Sequence, residues 1–279
     1  MCPRSERPDQ TDLATDLATA VRNARHVEVF TGAGMSADSG LDTFRDATTG
    51  LWSKVDPQAM ATPAAWARDP DPVWAWYLWR AVQARHASPN PGHLAVTRWQ
   101  DALVAGEDAL EDAATAGLST AVAGSLHITT QNIDDLHERA GSRDISHLHG
   151  SLFAFRCADC GAPVPEPDLP AEQVERIGPP ACEVCGGFIR PGVVWFGEAL
   201  PTAEFEDAER SMQTCDLVVI VGTSGVVYPA AGLTQIAASR GVPVVEISPE
   251  PTDLTPITTW SLRTTAALGL PALVDAAFG

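Results

Sequence analysis

The apolar run Val27-Glu28-Val29-Phe30 is followed at once by Thr31-Gly-Ala-Gly-Met-Ser-Ala-Asp-Ser-Gly40. A strand that breaks into a glycine turn is how a parallel sheet holds a nucleotide. Gly32 would permit the tight turn, and Gly34 would let the backbone approach a phosphate. Ala37 would keep the next helix close to the sheet, so that backbone N–H groups and the helix N-terminus face an anion. A turn of this kind can also be purely structural, and the residues after the turn decide between the two. An ordinary dinucleotide fold places an acidic residue at the end of a second strand about 20 residues on. Here the chain carries Thr43-Phe44-Arg45, with no clear strand before Trp52. That argues against hydride transfer. A ring and a guanidinium at Phe44 and Arg45 suit a loop that excludes water and clamps phosphate.

Further along, apolar strands alternate with helical segments. Helices are expected at Asp12–Ala24, Pro70–Ala87, from His93 to Leu103 and beyond, and at Pro229–Ser239. Strands are expected at Leu126–Thr130, Cys215–Val221 and Pro243–Ile247. Continuous apolar strands between helices predict an α/β chain built on a doubly wound parallel sheet. Val104–Gly124, rich in Ala, Asp and Glu, reads as an exposed insertion.

Between Phe153 and Arg190 the alternation stops. Cys157-Ala-Asp-Cys160 and Cys182-Glu-Val-Cys185 are separated by 21 residues. Two such turns can set four thiolates around one zinc ion, which leaves no open position for catalysis, so the metal would be structural. Pro163–Pro180 reads as the loop between them, and Cys215 as a small buried apolar residue. The expected division is a discontinuous nucleotide-binding body, residues 1–46, 88–152 and 191–279. A small domain, residues 47–87 and 153–190, would combine a helical module with the zinc module.

With 279 residues, 45% of them hydrophobic, the chain can bury a substantial core. No stretch approaches a membrane span, and the first residues lack the apolar core of a signal peptide, so a cytoplasmic protein without membrane contact is expected. The net charge is −18 and the one lysine is Lys54. Nonspecific nucleic-acid binding is thereby opposed, and basic protein segments would be attracted.

Polar residues at the carboxyl ends of the strands should line a site. Three segments qualify: Gln131-Asn132-Ile133-Asp134, His147-Leu148-His149-Gly150, and Gly222-Thr223-Ser224. Beside Gly150, His149 is better placed than His147 to act as a general base. Asn132 and Asp134 would supply polar contacts to a ribose or carboxamide.

These blocks, together with Arg190-Pro-Gly-Val-Val-Trp-Phe-Gly-Glu198 and the cysteine pairs, resemble the sirtuins, in that family's order from about residue 25 to 250. The resemblance implies a Rossmann-like body and an NAD-dependent protein-lysine deacylase. In such an enzyme the acyl oxygen attacks the nicotinamide ribose, nicotinamide leaves and the acyl group ends on ADP-ribose. It implies that His149 activates a ribose hydroxyl while Asn132 and Asp134 hold the ribose and nicotinamide. Phe44 and Arg45 would close over the cofactor, and Val193-Val194-Trp195-Phe196 would pair with the substrate as an added strand. Acylated-lysine proteins are the implied partners, and a monomer is expected. Two departures stand out. Asp42 and Asp46 replace common proline and glycine, and Ser248 stands where an asparagine often serves the adenosine; Glu246 is a weaker candidate there.

Tyr77 and Arg80 lie three residues apart on one helix face, where a phenol and a guanidinium can share a carboxylate. This pair, preceded by Ala61-Thr62-Pro63, resembles the sirtuin subgroup that removes succinyl, malonyl and glutaryl groups. There the small residue matching Ala61 leaves room for the longer acyl chain. An acetyl-only deacylase, an ADP-ribosyl transferase and an NAD-sensing binding protein remain the alternatives.

Overall fold

The computed structural model describes residues 10–41, 56–115 and 124–278. Its helices are α1 (Gln10–Asn23), α2 (Pro57–Met60), α3 (Pro63–Arg68), α4 (Pro70–His86), α5 (Pro91–Thr115), α6 (Leu136–Arg139), α7 (Thr202–Thr214), α8 (Leu233–Ser239) and α9 (Ala266–Phe278). Its strands are β1 (His26–Thr31), β2 (Ser125–Thr130), β3 (Ile145–His147), β4 (Gly150–Cys157), β5 (Pro163–Val164), β6 (Ile189–Val193), β7 (Leu217–Val221), β8 (Val244–Ile247) and β9 (Trp260–Leu262).

Six strands form one parallel sheet in the order β3-β2-β1-β7-β8-β9. Counted among themselves, they run 3-2-1-4-5-6, the order of a doubly wound nucleotide fold whose crevice opens where the direction of winding reverses. That reversal falls between β1 and β7. Both strands are buried apart from the first residue of β1, which explains their near-continuous apolar sequence. One face carries a core of Leu17, Val21, Trp99, Val29, Val219, Leu270 and neighbours from α1, α5 and α9. On the other, Phe30, Ala208, Met212, Ile220 and Leu233 bring in α7 and α8.

A second, antiparallel sheet has the order β5-β4-β6. Its main ladder runs from Gly150 opposite Val193 to Cys157 opposite Ile189. One end therefore abuts His149 and the other ends on the first cysteine pair. Gly150 has φ +71°, and a Cβ there would collide with the Gly192 carbonyl, so the first rung of the ladder requires glycine. Helix α4 is apolar around its circumference because it is covered on two sides. Trp76 and Tyr77 pack with Leu152, Val193 and Trp195, whereas Trp74 and Leu78 pack with Phe155, Cys157, Cys182 and Ile189.

Several expectations are corrected. No α-helix follows the glycine turn within the described residues. Two 3₁₀ turns, Ala33–Met35 and Ala37–Ser39, follow instead, and Ala37 is exposed rather than packed on the sheet. Met35, fully buried, anchors this segment. Residues 104–115 of the supposed insertion continue α5, with 116–123 outside the described residues. The segment from Pro229 to Ser239 is a 3₁₀ turn, Ala230–Gly232, leading into the shorter α8. Helices α7 and α9 and strand β9 were not anticipated. Among the described residues, no helix is long and apolar enough to cross a membrane.

Candidate active site

A cavity of about 580 Å³ opens at the carboxyl ends of β1, β2 and β7. Within the described chain, it is lined by the anticipated catalytic, NAD-binding and substrate-binding residues, while the four cysteines and Glu246 lie outside it. Gly32, Ala33, Gly34, Ser36 and Ala37 come from the glycine turn, and Gln131, Asn132, Asp134 and His149 from the loops after β2 and β3. The loops after β7 and β8 add Gly222, Thr223, Ser224 and Ser248, and the remaining wall is Ala61, Tyr77, Arg80, Val193, Val194, Trp195 and Phe196. Phe44 and Arg45 lie outside the described residues.

The glycines act differently from expectation. Gly34 donates to the Gly222 carbonyl at 2.8 Å, and Gly32 to that of Val221 at 3.0 Å. A Cβ on Gly34 would come within 2.7 Å of the Gly222 Cα. The close approach that requires glycine is thus between two turns of the protein, which fuses the ends of β1 and β7 into one backbone floor. The cavity lies against that floor.

Around it, side chains are tied in pairs. Ser36 donates to Asp134 Oδ2 (3.0 Å) and accepts from Asn132 Nδ2 (3.1 Å). Gln131 Nε2 donates to Thr223 Oγ1 at 2.9 Å, which links the β2 and β7 loops. Burial raises the Asp134 carboxyl above its ordinary value, partly offset by bonds from the Leu136 N–H and Ser36.

His149 is half-buried, and its Nδ1 lies 2.9 Å from the Gln131 carbonyl. A carbonyl only accepts, so Nδ1 carries the hydrogen and Nε2 keeps its lone pair in the neutral ring. Burial lowers the pKa of this imidazole, and the Gln131 bond offsets only part of that. His147, two residues earlier, is held between the Asn132 carbonyl (3.2 Å) and Glu138 Oε1 (2.6 Å). Burial alone would lower its pKa, but the Glu138 bond and charge outweigh it and the value rises. The two rings thus differ in kind: burial favours the neutral form of His149, and the Glu138 carboxylate favours the protonated form of His147.

On the other side of the cavity, Tyr77 is almost fully buried, which pushes its phenol up to about 12 against the opposing charge of Arg80. The Arg80 guanidinium lies 5.0 Å from the Trp76 ring centre and 5.8 Å from that of Tyr77. It is a contact typical of arginine on an aromatic surface. Ala61 is buried where any larger side chain would narrow this end.

The Val193–Phe196 segment is more constrained than an open strand edge. The N–H groups of Val194, Trp195 and Phe196 donate to the His149 carbonyl (2.8 Å), Glu198 (2.8 Å) and the Ala61 carbonyl (2.9 Å). A peptide added here would be held through carbonyl oxygens. Trp195 is 2% exposed, stacked under the Arg190 guanidinium, whose fork grips Glu198 at 2.6 and 2.9 Å. Its ring therefore supports the wall.

Glu246 is not free to hold a ribose. Its buried carboxylate accepts from Thr252 (2.5 Å), Thr255 (2.8 Å) and Ser261 (3.3 Å) and pairs with Arg263 (2.8 Å). It thereby shapes the loop from Ser248 to Thr252 that lines the cavity. Val226, Val227 and Tyr228, also at the cavity, carried no sequence signal of their own; Val226 and Tyr228 are exposed apolar residues directly after the Gly222 turn.

The four cysteine Sγ atoms lie within 4.8 Å of one another, with Cys157–Cys185 at 3.4 Å and Cys160–Cys182 at 3.8 Å. Tetrahedral zinc with its usual sulfur bonds sets such separations near about 3.8 Å, so the donor set fits that metal. The backbone N–H groups of Cys160 and Asp159 point at Cys157 Sγ and draw its thiol down to about 6. Zinc there would tie the two turns together and supply no reaction step.

The family model described as "Sir2 family" matches residues 32–107 and 114–229. An NAD-dependent protein deacylase 2 of Corynebacterium efficiens is 57% identical over 267 residues, covering 95% of this chain and 98% of that one. The NAD-dependent protein deacylase Sir2 of Mycolicibacterium smegmatis is 47% identical, covering 89% and 95%. Among solved structures, a Sir2 homologue in complex with NAD superposes with a TM-score of 0.77 at 38% identity, covering 99% and 96%. A mutant Sir2 homologue bound to 2'-O-acetyl ADP ribose gives 0.78 at 37%, covering 97% and 96%.

Proposed function

The chain belongs to the Sir2 family, and from that premise we propose that it is an NAD-dependent protein-lysine deacylase that favours acyl groups ending in a carboxylate. NAD is a substrate: its glycosidic bond to nicotinamide supplies the leaving group, and the acyl chain ends on ADP-ribose. The glycine floor, Ser36 and the Gln131–Asp134 loop hold the dinucleotide. Nε2 of His149, neutral and anchored from behind, takes a proton from a ribose hydroxyl. Val193–Phe196 receives the substrate backbone. The body, 1–46, 88–152 and 191–279, binds NAD, while the small module, 47–87 and 153–190, shapes the acyl end.

The acyl preference is carried by one observation: Tyr77 and Arg80 line the same cavity as His149, beside the small Ala61. A phenol that stays protonated at any physiological pH and a guanidinium together match a terminal carboxylate. Losing the guanidinium would leave that carboxylate unpaired in a half-buried site, a cost of about 2–5 kcal/mol. We therefore expect wild-type kcat/KM to be higher on a succinyl-lysine peptide than on its acetyl counterpart, and Arg80→Met to reverse that order. Steady-state kinetics on matched peptides decides the matter. A wild type that prefers acetyl-lysine, or an Arg80→Met variant that loses both activities equally, overturns the acyl assignment.

A further inference from the structure

Asn132 is fixed from several directions. Its N–H donates to Thr130 Oγ1 at 3.0 Å, and Thr130 is in turn bonded by Thr31 Oγ1 at 2.8 Å. Its side-chain amide donates to Ser36. Its carbonyl faces His147 Nδ1. The last of these contacts is conditional. Both ring nitrogens of His147 face oxygens that only accept, so both bonds exist together only in the doubly protonated ring. When the ring loses a proton, the shorter, charge-assisted bond to Glu138 keeps the remaining hydrogen. A lone pair then faces the Asn132 carbonyl, and the peptide is released.

We propose that His147, held by Glu138, is a positioning residue that keeps the Asn132 peptide in place and sets the alkaline limb of the activity whose acid limb belongs to His149. The inference rests on the deacylase reading above, in which Asn132 holds the nicotinamide ribose. The neighbourhood supports it. The groups facing His147 are Glu138 and His137 on α6 and Asp134 on the loop before it, with His93 of α5 acting on Glu138 and His137 from behind. His93 and His137 are buried and stay neutral, with ring centres 4.9 Å apart. Helix α7 packs on the opposite face of β3, where its Asp207 acts on His127, the partner of Ser146. Glu138 is thus the close counter-charge. A raised folded-state pKa means that the contact is complete below the ordinary imidazole value near 6.5 and is lost as pH rises through the folded value.

The test uses zinc-loaded full-length protein, NAD and the acyl-lysine peptide that the wild type turns over best, chosen without other titratable side chains. Two variants, Glu138→Gln and His147→Gln, are compared with wild type from pH 6 to 10. Glu138→Gln should move the alkaline limb of kcat/KM down by about half a pH unit or more, since a half-exposed counter-charge is partly screened. His147→Gln should raise KM for NAD about threefold to tenfold at neutral pH, one hydrogen bond's worth, leave KM for the peptide unchanged, and remove that limb. NMR titration of the His147 ring in the free protein should give a pKa above 6.5 in wild type and a lower one in Glu138→Gln. The proposal is overturned if the ring titrates at or below 6.5, or if Glu138→Gln leaves both its titration and the limb unmoved. It is equally overturned if His147→Gln lowers activity by one factor at every pH, the behaviour of a merely structural residue. Absence of any wild-type turnover would instead sink the deacylase reading, and the NMR titration would still judge the histidine–glutamate pair.

Discussion

Two histidines separated by one leucine are shifted in opposite directions, and their partners decide which way each goes. His149 has one ring nitrogen on the Gln131 carbonyl and sits in a partly dry wall, so it is neutral. The strand that precedes it is short and ends at His147, and the next residue after His149, Gly150, turns the chain into the second sheet. From sequence, His149 was separable from His147 by its place beside that glycine. The reason for the difference, a carbonyl on one ring and a carboxylate on the other, depends on α6 folding back over β3 and was not legible. Because the folded His149 pKa lies below its ordinary value, the neutral base persists below pH 6.5. The acid limb of wild-type kcat/KM should therefore fall below that pH. His149→Tyr should lose turnover by on the order of a hundredfold or more, with its circular dichroism spectrum and bound zinc unchanged. Retained turnover in a folded His149→Tyr protein would remove His149 from the reaction.

The element that joins chemistry to architecture is α4. Its sequence shows tryptophans and an apolar circumference, from which a buried helix could be read, but not what buries it. One side, through Trp76, Tyr77 and Arg80, lines the cavity, and the other, through Trp74 and Leu78, rests on the cysteine turns. The ladder of β4 and β6 makes the same connection, with Gly150 next to the cavity residue His149 and Cys157 in the cysteine cluster. Cysteine spacing identified the metal site because its ligands are local pairs. The ladder joins residues about 40 apart in sequence and leaves no periodic mark. Zinc is thus expected to support the acyl end of the cavity from behind. Chelation should lower Tm and cut turnover by about tenfold or more, with both restored by added zinc. Leu78→Ala, which thins the apolar packing behind Cys157 and Cys182 but replaces no ligand, should cost about 2–5 kcal/mol of stability. Full turnover after measured loss of the metal would separate the two halves of α4 and refute the coupling.

Across the whole molecule, the parallel sheet was legible because β1, β7 and β8 are largely apolar runs that only a sheet covered on both faces can bury. Strand order was not, since it is fixed by pairings such as Val27 with Leu217, far apart in sequence. β9 is a three-residue edge strand whose Trp260 and Leu262 are only partly buried against the core, too short a pattern to read from sequence. α7 escaped it because its apolar stripe, Phe205, Ala208 and Met212, is thin among acidic neighbours. The nucleotide floor was found for a partly mistaken reason. The sequence assigns Gly32 to the tight turn and Gly34 to the approach of a phosphate, whereas the close approach at Gly34 is to Gly222. The consequence is that the floor exists only when β1 and β7 are paired, so the site is a property of the complete sheet.

The claim that this cavity spends NAD to move an acyl group from lysine is tested most directly by mass spectrometry of all products from one reaction. The mixture holds the protein, NAD and a synthetic succinyl-lysine peptide. The account predicts unmodified peptide, nicotinamide and succinyl-ADP-ribose in equal amounts. NAD consumed while the peptide stays succinylated, ADP-ribose found on protein or peptide, or NAD left intact would contradict it.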